Sequence, residues 1–235
     1  MPGKIIHKFG AGVAIGTSFA PLTNLGALNW LQAATAVRVK AGGNAADTAA
    51  GAGAQTVTVE GLDENWEFAS ETLTLAGASA SSATTTTFVR VNRAYVATIG
   101  AYGAANTGNI TIENGAGGTD LIKIDAGEGQ SQYGAYSVPA GNTIRLKHIS
   151  IFSDSNKKTT VRMFVRESAD DVTTPFAPKR LKWYLPGASD KAQLPYTGGF
   201  VISEKTDVWF EGKVDSGTAD ASVNFEMEEI KTSFS

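Results

Sequence analysis

The 235-residue chain has a mass of 24.5 kDa, carries 20 basic and 23 acidic side chains for a formal charge of −3, and contains two histidines and no cysteine. Without cysteine there is no disulfide, no thiolate nucleophile and no cysteine-ligated zinc or iron–sulfur site, which leaves no redox role. A near-neutral balance with no Lys/Arg block gives no electrostatic footprint for DNA or anionic lipid. No stretch reaches the roughly 20 apolar residues of a membrane helix, so neither nucleic acid nor membrane is an expected partner.

The opening segment, MPGKIIHKFGAGVAIGTSFA, sets Lys4 and Lys8 before a small apolar run and loosely mimics a secretory signal, but Gly10, Gly12 and Gly16 break that run. Residues 1–34 read as an extended N-terminal arm, because glycine and proline interrupt each apolar run before two helical turns are complete. Leu22, Leu25, Leu28 and Leu31 recur every third residue beside Trp30, which allows a short helical or 3₁₀ stretch.

From residue 35 to 235 the dominant signal is a period of two, which puts alternate side chains on opposite faces of a sheet. Val57 and Val59, Leu73 and Leu75, Val89 and Val91, and Ile110 and Ile112 alternate with polar neighbours in this way. Between them lie two low-complexity tracts, 41–54 and 76–87, whose composition is that of mobile loops. A glycine-rich polar hexamer at 127–132 marks a soft boundary, leaving open one β core or two β subdomains. Beyond it, Val138-Pro139-Ala140-Gly141-Asn142 is a turn leading into a long strand, Thr143 to Ser153. Ile144 and Leu146 share one parity there and Ile149 and Ile151 the other, so a bulge or a change of sheet is expected near Lys147-His148. Ser155-Asn156-Lys157-Lys158 reads as the hairpin loop to a strand carrying Val161, Met163 and Val165. Strands at Leu181–Leu185, Val208–Val214 and Val223–Met227 follow, the last two joined by the hairpin Asp215-Ser216-Gly217-Thr218. About a dozen short strands without an amphipathic helix argue for an all-β fold, an antiparallel β-sandwich or jelly roll with the arm appended.

Catalytic groups are scarce. Acyl transfer by a Ser/His/Asp set needs a free histidine, and only His7 and His148 exist, one in the arm and one within a strand. No G-x-S-x-G elbow supplies a nucleophile. Two histidines 141 positions apart have no metal-ligand spacing. Asp63, Glu64 and Glu67, or Asp170 and Asp171, could offer oxygen ligands to calcium, but neither set matches an EF-hand loop. Glu60, Glu71, Glu211, Glu226 and Glu228 lie on strands, where a glycosidase pair would need only the right separation; alternation with apolar residues makes them solvated outer-face positions. The expectation is therefore no catalytic residue, no metal and no cofactor. Several strands are instead apolar on both faces: Ile149, Ile151 and Phe152; Leu181 to Leu185 with Trp183 and Tyr184; and Asp207 to Phe210 with Trp209. A second apolar face has to meet another subunit or a further layer of the same chain, and the intersubunit surface is the favoured expectation.

Two segments carry a family resemblance. Residues 37–103 (VRVKAGGNAADTAAGAGAQTVTVEGLDENWEFASETLTLAGASASSATTTTFVRVNRAYVATIGAYG) and motifs within 136–230 (YSVPAGNTIRLKHISIFSDSNKKTTVRMFVRES, APKRLKWYLPG and SEKTDVWFEGKVDSGTADASVNFEMEEI) resemble virion structural proteins of tailed bacteriophages, of the marine and cyanophage type. The resemblance implies a non-enzymatic virion protein, assembled in the bacterial host cytoplasm and often trimeric. The expected role is capsid decoration or cement, binding major capsid or other virion proteins. It transfers no site residues. The alternative is a tail or fibre component that recognises host-surface glycans, for which Trp66, Tyr102, Tyr133 and Tyr196 in loops would form the platform.

Overall fold

The computed structural model describes residues 3–40, 44–154, 157–189 and 191–232, with side chains for all of these but 191 and 193–199. The described residues form an all-β, antiparallel structure without an α-helix. In chain order the strands are β1 (Lys4–Ile15), β2 (Ala20–Pro21), β3 (Thr35–Val39), β4 (Ala54–Leu62), β5 (Phe68–Thr74), β6 (Thr87–Phe88), β7 (Arg90–Ile99), β8 (Ile110–Asn114), β9 (Asp120–Ile124), β10 (Ala135–Ser137), β11 (Asn142–Ser153), β12 (Thr159–Arg166), β13 (Arg180–Ala188), β14 (Lys191–Ile202), β15 (Asp207–Val214) and β16 (Ala219–Lys231). They belong to two compact units, one of Met1–Ala27 with Tyr133–Ser235 and the other of Leu28–Gln132.

The first unit is a sandwich. One sheet has the order β1-β16-β11-β14 and the other β10-β15-β12-β13, with β2 added beside β15. Leaving β2 aside, the eight strands nest as they pair: first with last, second with seventh, third with sixth, fourth with fifth. Inward side chains of both sheets share one core that includes Ile144, Leu146, Val161, Met163, Phe210, Val223, Phe225 and Met227. Phe210 and Phe225, from opposite sheets, bring their rings to 5.0 Å.

The parity switch on β11 is a bulge. The ladder slips between Leu146 and His148 against both neighbours, leaving Lys147 as the extra residue. Because a one-residue slip flips every later side chain, Ile149 and Ile151 return to the face already occupied by Ile144 and Leu146, and all four are fully buried. The strand stays in its own sheet, and of its apolar groups only Phe152 is left on the outer side.

Two expectations for the amino terminus are corrected. Residues 4–15 are not a free arm but the edge strand β1, laddered to β16 from Lys4↔Glu229 to Gly12↔Ala221. The glycines that forbid a helix do not forbid a strand, and Gly10 is required: a Cβ there would overlap the Leu22 carbonyl and the Gly134 backbone. No helix forms at Leu22–Leu31; Leu22 is buried in the sandwich core instead. The chain leaves this unit after β2 and re-enters beside its exit, with a bridge between Thr23 and Tyr133 and a 3.0 Å bond from the Gly134 amide to the Leu22 carbonyl. Residues 28–132 are thus an insertion between the first and second strands of the sandwich.

The inserted unit has a four-stranded sheet, β6-β3-β8-β9, and a three-stranded sheet, β5-β4-β7. Val37, Val57, Val59, Leu62, Phe88, Ile112, Ile122 and Ile124 are among its fully buried apolar groups. Both low-complexity tracts are tied to it by side-chain hydrogen bonds. In the first, of which 41–43 lie outside the described residues, the buried Asp47 carboxylate accepts from the amides of Ala54 (2.9 Å), Thr107 (2.8 Å) and Gly108 (2.7 Å). In the second, Ser81 and Thr84 imitate a strand beside β3. Their hydroxyls accept from the amides of Val39 and Val37 at 2.9 Å, while their own amides donate back to the same residues' carbonyls at 3.2 and 2.8 Å. In the described parts of these tracts, polar side chains serve as hydrogen-bond acceptors for neighbouring backbone amides.

Candidate functional site

The outer faces of the sandwich hold its most concentrated chemistry. On the β1-β16-β11 face, register aligns His7, Glu226 and His148 in one row and Phe9, Asn224 and Ser150 in the next. The two histidines, 141 positions apart in the sequence, therefore flank one glutamate. His7 Nδ1 lies 3.2 Å from Glu226 Oε1, and His148 Nε2 shares a 2.6 Å hydrogen bond with Ser150 Oγ. These groups line a groove of about 310 Å³. In the next outward row Glu228 is flanked by Ile5 and Arg145, and Arg145 and the bulged Lys147 each approach its carboxylate to 3.6 Å.

The outer face of the other sheet carries a closed ion cluster. Arg162 donates from Nε and Nη2 to Glu211 Oε2 at 2.8 and 2.6 Å, and Trp209 Nε1 and Lys179 Nζ donate to Oε1 at 3.0 and 3.3 Å. Burial by itself would raise the Glu211 carboxyl, but the Trp209 and Arg162 bonds and the Lys179 and Arg162 charges together hold it below the usual carboxylate range. Trp209 stacks on Phe164 with centroids 5.6 Å apart, and the Lys179 and Arg162 cations lie over the Phe164 ring. Trp209, expected to seek another subunit, is thereby 6% exposed within its own chain. On β13, by contrast, Trp183 and Leu185 pack on the core while Leu181 and Tyr184 remain 53% and 51% exposed. The two-faced expectation thus divides: the second face is internal for β15 and open for β13.

The remaining candidates are engaged locally. Asp63 Oδ1 accepts from the amides of Asn65 and Glu67, both at 2.9 Å, closing a turn that sets Trp66 at a φ of 62°. Asp170 pairs with Lys205 at 2.8 Å, and Asp171 accepts from Thr173. Among the described residues no group of three His, Asp or Glu could hold a metal ion. Glu71 accepts from the amides of Thr85 (2.9 Å) and Thr86 (2.7 Å); burial opposes ionisation, yet these bonds keep its carboxyl below the ordinary range. Glu60 lies on β4 opposite Ser70 and Arg93.

The loop aromatics do not form a platform. Trp66 is buried with the Arg90 guanidinium 4.7 Å from its ring, and Tyr133 is buried with Lys8 Nζ at 5.3 Å. Tyr102 is fully exposed, and the Tyr196 ring lies outside the described residues. Sequence reasoning missed the convergence of the histidines because it read residues 1–34 as an arm.

No family model matches the chain, and no curated protein matches it. Among solved structures it is similar to that of the Gx strain of infectious bursal disease virus, at 9% identity and a TM-score of 0.32, covering 100% of this chain and 73% of that one. It is also similar to infectious bursal disease virus derived T=1 particles, at 9% identity and a TM-score of 0.26, covering 98% of this chain and 74% of the other. Chains this distant share too little superposable structure for anything to be carried over from them.

Proposed function

We propose that this chain is a non-enzymatic structural protein of a virion, and that within the particle it acts as a capsid decoration or cement protein of a tailed phage. The observation that carries the reading is the nested pairing of eight antiparallel strands in two sheets around one core. We read that order as a jelly roll, an architecture used by capsid and lectin domains. The support is therefore fold-level, joined to the resemblance of residues 37–103 and 136–230 to phage virion proteins.

Two features fit a protein that binds neighbours. The described carboxylates named as catalytic candidates are mostly held by cations or amides, an arrangement that stiffens a scaffold. The exposed Leu181 and Tyr184 on the edge strand β13 give an apolar strip for major capsid subunits or for a second copy in a trimer. Folding in a reducing host cytoplasm suits a chain without cysteine.

The test is cosedimentation of purified protein with empty phage heads, followed by cryo-electron microscopy of the pellet. Saturable occupancy at symmetry-related positions supports the proposal, and Leu181→Asp with Tyr184→Asp should lower it. A protein that stays monomeric and ignores heads overturns the cement role.

A further inference from the structure

The groove on the outer face of β1, β16 and β11 is a small grid of complementary groups. His7, Glu226 and His148 form one row, Phe9, Asn224 and Ser150 the other. With strands about 4.8 Å apart and side chains on one face repeating every two residues, the six cover a patch of about 10 by 7 Å. That is the footprint of one hexopyranose ring.

The chemistry also selects. A carboxylate has about four lone-pair sites and the His7 contact uses one, so Glu226 can accept further hydroxyl hydrogens. Among the described residues no group bonds the Asn224 amide, which can both donate and accept. His148 is held by Ser150 through Nε2, and among the described residues no group bonds its Nδ1. Phe9, half-buried on the edge strand, supplies an aromatic wall on the outward face. The Glu226 carboxylate, inside the groove itself, disfavours an anion such as phosphate there, whereas Glu228 in the neighbouring row is compensated by Arg145 and Lys147. The row lacks three groups placed to hold a metal ion. Lys8 and Phe225 also line the groove, but on its outward rows Phe9 stands beside five polar groups, which suits a ligand with one apolar face and a rim of hydroxyls.

We propose that this groove binds a neutral sugar unit, a hexopyranose presented by a glycan, with Glu226 and Asn224 bonding its hydroxyls and Phe9 covering its C–H face. The site stands apart from the virion reading: failure to bind phage heads leaves it untouched, and its own failure leaves head binding untouched.

The chain's two histidines both line the groove, so the imidazole region of its NMR spectrum reports on this site alone. Full-length protein is titrated separately with D-glucose, D-galactose, D-mannose and N-acetyl-D-glucosamine, and with zinc chloride and inorganic phosphate as controls. The expected result is a saturable shift of both imidazole signals with at least one sugar. Asn224→Ala and Glu226→Gln, both outward-facing changes that spare the ladder, should each weaken the apparent affinity by about tenfold or more. Phe9→Ala should weaken it as well. Silence with all four sugars, shifts that survive both polar substitutions, or shifts produced only by zinc or phosphate would overturn the assignment.

Discussion

Leu146 and Ile149 sit three positions apart on β11 and nevertheless enter the same core, because Lys147 is an unpaired residue between them. An uninterrupted strand would send residues three apart to opposite faces. The extra residue is what lets β11 contribute four buried aliphatic side chains instead of two.

Deleting Lys147 should therefore be far worse than replacing it. The deletion turns either Ile144 and Leu146 or Ile149 and Ile151 toward solvent, at about 1.5–3 kcal/mol per side chain. Lys147→Ala loses only an exposed 3.6 Å approach to Glu228 and should stay within about 0.5 kcal/mol of the parent. Urea unfolding of the two variants checks the contrast.

Asp47 should be the chief restraint on the first low-complexity tract. Asp47→Ala leaves the amides of Ala54, Thr107 and Gly108 without their acceptor, and a loss of about 2–4 kcal/mol is expected. Hydrogen exchange should accelerate at those three amides well before it does in the sandwich strands. Uniform acceleration across the chain would show that the tract is held by something else.

Ser81→Ala and Thr84→Ala should each cost about 1–2 kcal/mol, since a hydroxyl acceptor is removed from a buried β3 amide. The double variant should expose the amides of both Val37 and Val39 to exchange. Ser79→Ala, one turn away and bonded through its backbone amide, serves as the neutral control.

The Glu211 cluster gives an acid-sensitive contribution. Its carboxyl is held below the ordinary range, so the stabilisation is complete above the unfolded value of about 4.3 and is lost as pH falls through the lower folded value. Glu211→Gln should cost about 1–3 kcal/mol at pH 7, and the gap to the parent should close in strong acid. Thermal melts across a pH series measure both ends.

Glu229 should behave in the opposite sense. Burial pushes its carboxyl up, with Lys4, the Tyr136 hydroxyl and Lys231 offsetting only part of the effect. Ionisation then costs stability above the raised folded value, and the cost disappears as pH falls to the unfolded value of about 4.3. Glu229→Gln should raise the melting temperature by roughly 1–3 °C at neutral pH and leave it unchanged near pH 3.

Much of the sandwich is legible in the chain because a half-buried strand writes its burial into alternate positions. The strands of Val161 to Val165, Val208 to Val214 and Val223 to Met227 follow from that pattern directly. β1 was not legible, since its inner positions are Ile6, Lys8 and Gly10: a buried lysine and a glycine carry no hydrophobic period. Ser81 and Thr84 were obscure for a related reason, as hydroxyls replacing strand amides look like loop composition.

The amino-acid order by itself determined the all-β class, a break of strand parity near Lys147 and the lack of thiol chemistry, because local alternation and residue identity suffice for each; that the break is a bulge within one sheet came from the ladders. Only the tertiary structure decided which strands are neighbours. That choice set His7 and His148 on either side of Glu226, nested the strand pairs, and placed residues 28–132 as an insertion between two strands of the sandwich. Strand pairing joins positions as far apart as Lys4 and Glu229 through main-chain groups that every residue shares, and so it leaves no mark on the sequence near either partner.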